Sequence, residues 1–375
     1  MKKFLSFLLA VIISISLTIY IPVNAYADTN QTQQSDKELY KNLSEIGEVM
    51  QYIKENYPGN ITYDQMKDAA LKGILSSLDK YSEYFSSSDL NAFQQSVSGV
   101  FSGVGMVIQQ NPDGKFVVIS TIEGSPAEKA GIKSGYVIKA VDGKDVKGMD
   151  INDVVDLIKG KTGTKVKIVF EVNGIDKEYE FTREVIKINP VFYKIINGIG
   201  YIRINEFNNN TTENVKKALD YMDSNNVKKI VLDLRDNPGG MFEEAVNVAN
   251  FFVPEGVVVS VATKNGKDEK YYSNLKKTKY KLAVLINGGT ASAAEILAGA
   301  IQDTKTGILI GEKSYGKGTV QVIVQLSDGG GLKLTVAKYK LPSGRCIDGV
   351  GLMPDIKVLN KSGDNQLNKA LEILK

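Results

Sequence analysis

From Gly200 onward the chain alternates short apolar runs with amphipathic stretches, and that alternation restricts the fold more than any other feature. Gly200 to Phe207, Lys229 to Leu234 and Leu282 to Ile286 are too short for helices and read as strands. Thr211 to Asn225, capped at Thr211 or Thr212, Phe242 to Phe252, and the Ala/Leu/Ile stretch after Ser292 carry helical spacing. Strands separated by helices imply a mostly parallel sheet, whose ligands gather at the carboxyl ends of the strands. Two glycine turns fall at such ends, Asn237-Pro-Gly-Gly240 and Gly288-Gly-Thr-Ala-Ser292.

Ser292 has two readings. Ser292-Ala-Ala-Glu295 before an apolar run is a capping box, while a serine on a strand-to-helix turn is also placed as a nucleophile. Gly239 and Gly240 likewise make either a plain turn or, beside a nucleophile, the free N–H groups of an oxyanion hole. Lys317, between Gly316 and Gly318 at the mouth of a strand from Thr319 to Leu326, has no evident structural task.

The chain contains no histidine, which excludes a Ser-His-Asp triad, a Cys-His pair and every histidine-ligated metal site. Its single cysteine, Cys346, can build neither a disulfide framework nor a cysteine-rich metal site. A nucleophilic serine must therefore be served by Lys, Asp, Glu or Tyr. An ordinary lysine, with a pKa of about 10.4, is protonated, so a lysine base needs burial that brings it toward ~7–8. Burial between sheet and helix with no nearby carboxylate would do that, and the flanking glycines would let Lys317 pack closely. Gly311-Glu-Lys-Ser-Tyr-Gly-Lys317 nearly spells a phosphate loop, but Gly318 replaces the required Ser or Thr and a strand follows instead of a helix. A net charge of +3 gives no argument for nucleic acid.

At the amino end, Lys2-Lys3, the apolar run Phe4 to Ile21, and Ala25-Tyr26-Ala27 match an export signal over 1–27, with an uncleaved membrane tether over 4–21 as the alternative. Either places the folded part outside the cytoplasm, in the cell envelope or secreted. A polar linker follows, then helices through Leu39, Leu43, Ile46, Met50 and Ile53, and from Thr62, with Gln65 completing a capping box and Met66, Ala69 and Leu75 facing a core. This pair is either a core element or a dimer arm. From Phe101 to Lys187 strands and short helices succeed one another, closing in a hairpin around Asn173-Gly174.

That order of elements resembles a bacterial PDZ domain. Tyr136 stands where that family most often has aspartate. By resemblance the Gly103-Val104-Gly105 backbone would hold a peptide's terminal carboxylate and the next strand would pair with the peptide, a use that an N–H nest and an open strand edge suit physically. Together with Ser-Leu-Asp-Lys-Tyr-Ser-Glu-Tyr at 77–84, Asp-Leu-Arg-Asp-Asn-Pro-Gly-Gly at 233–240, Thr-Ala-Ser-Ala-Ala-Glu-Ile at 290–296, Tyr-Gly-Lys-Gly-Thr-Val-Gln at 315–321 and Gly-Leu-Met-Pro-Asp-Ile at 351–356, the chain resembles the carboxyl-terminal processing, or tail-specific, serine proteases.

The resemblance implies an α+β or α/β multidomain fold: a helical region over 28–95, a PDZ domain over 96–187 and a ClpP/crotonase-like protease core over 188–375. It implies Ser292 as nucleophile, Lys317 as general base, Gln321 as the residue positioning it, and oxyanion donors on the backbone of Gly239 or Gly240 and of Ala293. Ala294 occupies a position often serine in relatives. No metal or cofactor is implied. The expected substrates are unfolded or flexible carboxyl termini, with the PDZ domain recognising the tail and gating the site, and a homodimer through the N- and C-terminal helices stays open. The rival reading is a non-catalytic PDZ scaffold that binds carboxyl termini; its mark would be a missing Ser, Lys or glycine loop, and all are present.

Overall fold

The computed structural model describes residues 31–263, 266, 268–360 and 363–375. The export signal expected over 1–27 and the tether over 4–21 lie outside them. The described residues form two compact units, one from residues 31–92 with Thr263 and Thr319–Ala337, the other from Phe93–Ala262, Gly266–Gly318 and Lys338–Lys375. This differs from the expected division at 95 and 187, because the strand after Lys317 and most of the next fold with the amino-terminal helices.

In the first unit, helix Gln31–Asn56 runs through the stretch read as polar linker and leaves Leu39, Leu43 and Ile46 exposed. Helix Tyr63–Ser76 starts at the predicted capping box, Gln65 N–H donating to Thr62 Oγ1 at 3.1 Å and Thr62 N–H to Gln65 Oε1 at 2.8 Å. Met66 and Leu75 are buried as expected, but Ala69 is exposed, since the helix buries only a narrow stripe. Strand Glu83–Phe85 pairs antiparallel with Gly331–Lys340, Glu83 opposite Lys333. The Ser77–Tyr84 motif before it is a turn wound on Asp79, whose carboxylate accepts the Tyr81 and Ser82 N–H groups at 2.7 and 2.9 Å and the Thr335 hydroxyl at 3.2 Å. Burial pushes that carboxyl up, and the hydrogen bonds outweigh it, holding Asp79 below its usual range.

The second unit holds two sheets of consequence. One has the strand order Met106–Gln110, Phe116–Thr121, Val137–Val141, Lys165–Val172, Ile175–Thr182, closed over Phe116, Val118, Val154, Ile168 and Phe170. Its last hairpin turns where predicted, with Asn173 at φ +54° and Gly174 at φ +78° bringing Val172 opposite Ile175. Met106–Gln110 is the edge strand.

The other sheet runs Val191–Ile196, Ile199–Ile204, Lys229–Asp233, Lys281–Ile286, Gly307–Gly311, Ile356–Lys357, parallel after its first hairpin. Tyr201, Val231, Ala283, Leu285 and Ile310 pack one face against Ala370 and Leu374 of the last helix, Asn365–Leu374. Helix Thr211–Ser224 is not capped by Thr211 or Thr212: Asn210 precedes it, and Thr212 instead gives its N–H and hydroxyl to Glu244 at 2.7 Å each. Among the described residues no helix is long and apolar enough to cross a membrane.

Candidate active site

The turns that end strands Lys229–Asp233 and Lys281–Ile286 are joined to each other by backbone and side-chain bonds. Asp236 N–H donates to Asn287 Oδ1 at 2.9 Å and Asn287 Nδ2 returns a bond to Asp236 Oδ1 at 2.8 Å. Thr290 Oγ1 donates to the Leu234 carbonyl at 2.8 Å, and Ala291 N–H to the Asn237 carbonyl at 2.9 Å. Gly239 then lies against the Ser292 turn so closely that a Cβ there would stand 2.8 Å from Ser292 Cβ and 3.0 Å from the Ala293 nitrogen. On Gly240 it would meet the Phe207 carbonyl at 2.2 Å, and both glycines hold positive φ, +101° and +129°. Of the two, Gly239 spends its N–H on the buried Asn237 side chain, at 2.8 Å.

Ser292 stands half-buried at the start of helix Ala293–Asp303 with φ +53° and ψ −118°. That is not the extended backbone of an ordinary cap, and a non-glycine residue held there stores about 1–3 kcal/mol that its surroundings must offset. Glu295 supplies much of that constraint. Wholly buried, its carboxylate accepts the Ser292 N–H on Oε2 at 2.9 Å, the Lys317 N–H on the same oxygen at 2.9 Å, the Gly316 N–H on Oε1 at 2.8 Å, and the Ser314 hydroxyl. The glutamate half of the capping box is therefore made, and the same carboxylate organises the loop that carries Lys317.

Lys317 is half-buried. Its flanking glycines are dictated by space: a Cβ on Gly316 would lie 2.8 Å from the Gly351 nitrogen, and one on Gly318 2.5 Å from that of Asp348. The buried Tyr339 hydroxyl donates to the Lys317 carbonyl at 2.9 Å and lies 3.4 Å from that of Ser292. Tyr339 is a site residue that sequence reasoning passed over, and for Glu295 it found the capping role but not the bonds to Ser314, Gly316 and Lys317.

Behind the turns, buried Asp233 and Arg235 form a latch. Arg235 reaches Asp233 at 2.6 Å and grips Asp364 with two bonds, at 2.7 and 2.9 Å, while Tyr201 OH donates to Asp233 at 2.7 Å. The Arg235 bonds hold the Asp364 carboxyl below its usual range, and burial with the neighbouring Asp233 pushes the Tyr201 phenol up to about 12.

Gln321 belongs to the other unit. Its amide donates to Thr319 and Thr335 hydroxyls at 2.9 and 3.2 Å, and Thr335 passes on to Asp79, so the Ser77–Tyr84 turn orients it. Gly103, Val104 and Gly105 link strand Val100–Gly103 to the edge strand. Gly105 has φ +77° with no room for a side chain beside Ser125, and Val104 accepts the Ala127 N–H at 2.9 Å. Among the described residues no cluster of Cys, Asp and Glu is placed to hold a metal.

The family model for peptidase family S41 matches residues 198–358, and that for the PDZ domain matches residues 117–172. The chain is 37% identical over 363 residues to the carboxy-terminal processing protease CtpA of Bacillus subtilis (strain 168), covering 95% of this chain and 77% of that one. It is 34% identical over 367 residues to the carboxy-terminal-processing protease of Bartonella bacilliformis, 95% of this chain and 82% of the relative. Among solved structures, the photosystem II D1 C-terminal processing protease superposes with a TM-score of 0.51 at 33% identity, over 87% of this chain and 90% of that one.

Proposed function

The chain belongs to peptidase family S41 and is a serine peptidase with a PDZ domain, and on that premise we propose that it is a Ser–Lys endopeptidase cutting exported polypeptides from or near their carboxyl termini. One buried carboxylate oxygen carries the reading. Glu295 Oε2 accepts both the Ser292 N–H and the Lys317 N–H, each at 2.9 Å, so the candidate nucleophile and base are held to a single atom.

In this reading Ser292 Oγ attacks the scissile carbonyl as its proton passes to Lys317 Nζ. The tetrahedral oxyanion is met by the N–H groups of Ala293 and Gly240, since Gly239 spends its own on Asn237. The start of helix Ala293–Asp303 adds its positive end. Collapse breaks the C–N bond, the leaving amine takes the proton from Lys317, and an ester remains on Ser292. Water, giving its proton to the same lysine, then cleaves the ester and restores the serine. By the family resemblance alone, Gln321 would be the residue that positions the lysine.

The PDZ domain would take the substrate's free tail at Gly103-Val104-Gly105, pair it with the edge strand Met106–Gln110, and gate access to Ser292. The Lys2-Lys3 and 4–21 pattern supports export, with or without a retained tether. The exposed Leu39, Leu43 and Ile46 suit a homodimer through the N- and C-terminal helices.

The test is hydrolysis of an unfolded polypeptide by three variants. Ser292→Ala should lose activity by about a thousandfold or more while staying folded. Lys317→Arg, which keeps a charge that is never given up near neutral pH, should be as inactive as Lys317→Ala. Turnover in a folded Ser292→Ala protein, or substantial activity in the arginine variant, would sink the dyad.

A further inference from the structure

Helix Ile151–Ile158 ends at Lys159, and the segment that begins there is fastened to the glycine turn before the edge strand. Gly160 N–H donates to the Ser102 carbonyl at 3.4 Å, and the Thr162 hydroxyl to Ser102 Oγ at 2.9 Å. A Cβ on Gly103 would stand 3.3 Å from the Phe101 ring and 4.0 Å from Lys159 Cγ, so ring and lysine stem flank the turn directly. The half-buried Lys159 ammonium lies over the Phe101 ring, 5.9 Å from its centroid.

Among the described residues the charge has no counterion. Lys129, Lys139, Lys165 and Lys167 of the same domain each hold a glutamate, at 3.1, 3.2, 2.5 and 3.4 Å. Lys159 makes no ion pair among the described residues, and its ammonium rests over the Phe101 ring. An aromatic face attracts an ammonium and restricts its motion without neutralising it. A full positive charge is thus held ready beside a turn whose N–H groups offer only partial charge.

We propose that Lys159 determines specificity at the tail site, its ammonium pairing with the terminal carboxylate of a peptide added to strand Met106–Gln110. The inference rests on the tail-binding role proposed above. A backbone nest accepts a carboxylate, an amide oxygen or an internal carbonyl with modest preference. An ammonium attracts the ion over the neutral groups, and so sorts true carboxyl termini from internal segments of an unfolded chain.

The experiment uses the full chain carrying Ser292→Ala, so that the probe is not consumed. A short fluorescent peptide ending in valine is compared with its carboxamide by anisotropy, at low and high salt. The parent should prefer the acid, and added Lys159→Gln should lower affinity for the acid by about three- to tenfold while leaving the amide unchanged. Lys159→Arg should restore the preference, and Lys159→Gln should flatten its salt dependence. If the parent prefers the acid and Lys159→Gln keeps the full preference, tail binding stands and Lys159 has no part in it. Should the variant weaken acid and amide equally, Lys159 only packs on Phe101 and the proposal falls. A parent that does not distinguish acid from amide overturns the tail reading itself, and the role of Lys159 with it.

Discussion

The turn around Ser292 and the edge strand beside Gly103, the two places proposed to meet a polypeptide, are built in opposite ways. Gly239, Ala291 and Ala293, beside Ser292, are buried. A Cβ on Gly239 would intrude to 2.8 Å, the serine holds φ +53°, and the Glu295 carboxylate is committed to four donors. Along Met106–Gln110 the reverse holds: the strand has one neighbour in its sheet, and Val107 is 45% exposed. Bond-making chemistry needs atoms fixed to fractions of an ångström, which demands surroundings with no slack. Recognition of varied tails needs hydrogen-bonding capacity left unspent.

Substitutions should separate the two regions by size of effect. Gly239→Ala, with no allowed position for its methyl, should reduce kcat/KM by about a hundredfold or more while the protein still folds. Near-normal kinetics would show that the Ser292 turn tolerates slack, and the comparison would break. Glu295→Gln keeps the size but exchanges an acceptor oxygen for a donor facing N–H groups. It should lower stability by about 1–3 kcal/mol, read from denaturant unfolding. An unchanged midpoint would mean that the four bonds hold nothing together. At the other extreme, Val107→Thr should change stability by no more than about 0.5 kcal/mol and leave cleavage of an amidated peptide unaltered. A large loss there would show that the edge is part of a packed interface instead of an open one.

Much of this was legible in the chain because local pattern is what sequence carries. The apolar run ending at Ile286, the hairpin at Asn173-Gly174 and the cap at Thr62 each declare themselves within a few residues. Strands Gly256–Thr263 and Asp268–Ser273, which pair as a hairpin, went unread, as did the short strands Val191–Ile196 and Gly307–Gly311. Their apolar content is spread or brief, and partners elsewhere in the sheet decide them. The site divides the same way. Ser292 and Lys317 stand in recognisable motifs, whereas the second task of Glu295 depends on donors 19 to 22 positions away, and Tyr339 on a bond to a residue 22 positions earlier. Helical spacing likewise predicted a face for Ala69 that the narrow contact of its helix does not cover.

The latch between Arg235 and Asp364 joins residues 129 positions apart. A ribosome or an export channel delivers them in that order, and the turn bearing Gly239 is synthesised long before the carboxylate that grips its neighbour. Until Asp364 arrives, the guanidinium beside Asp233 lacks its second anion and the last helix is missing from its face of the parallel sheet. Completion of the chain is therefore written into assembly of the site. A nascent fragment that stops short of Asp364 carries Ser292 and Lys317, the proposed nucleophile and base, without the anion and the helix that complete the sheet behind their turns.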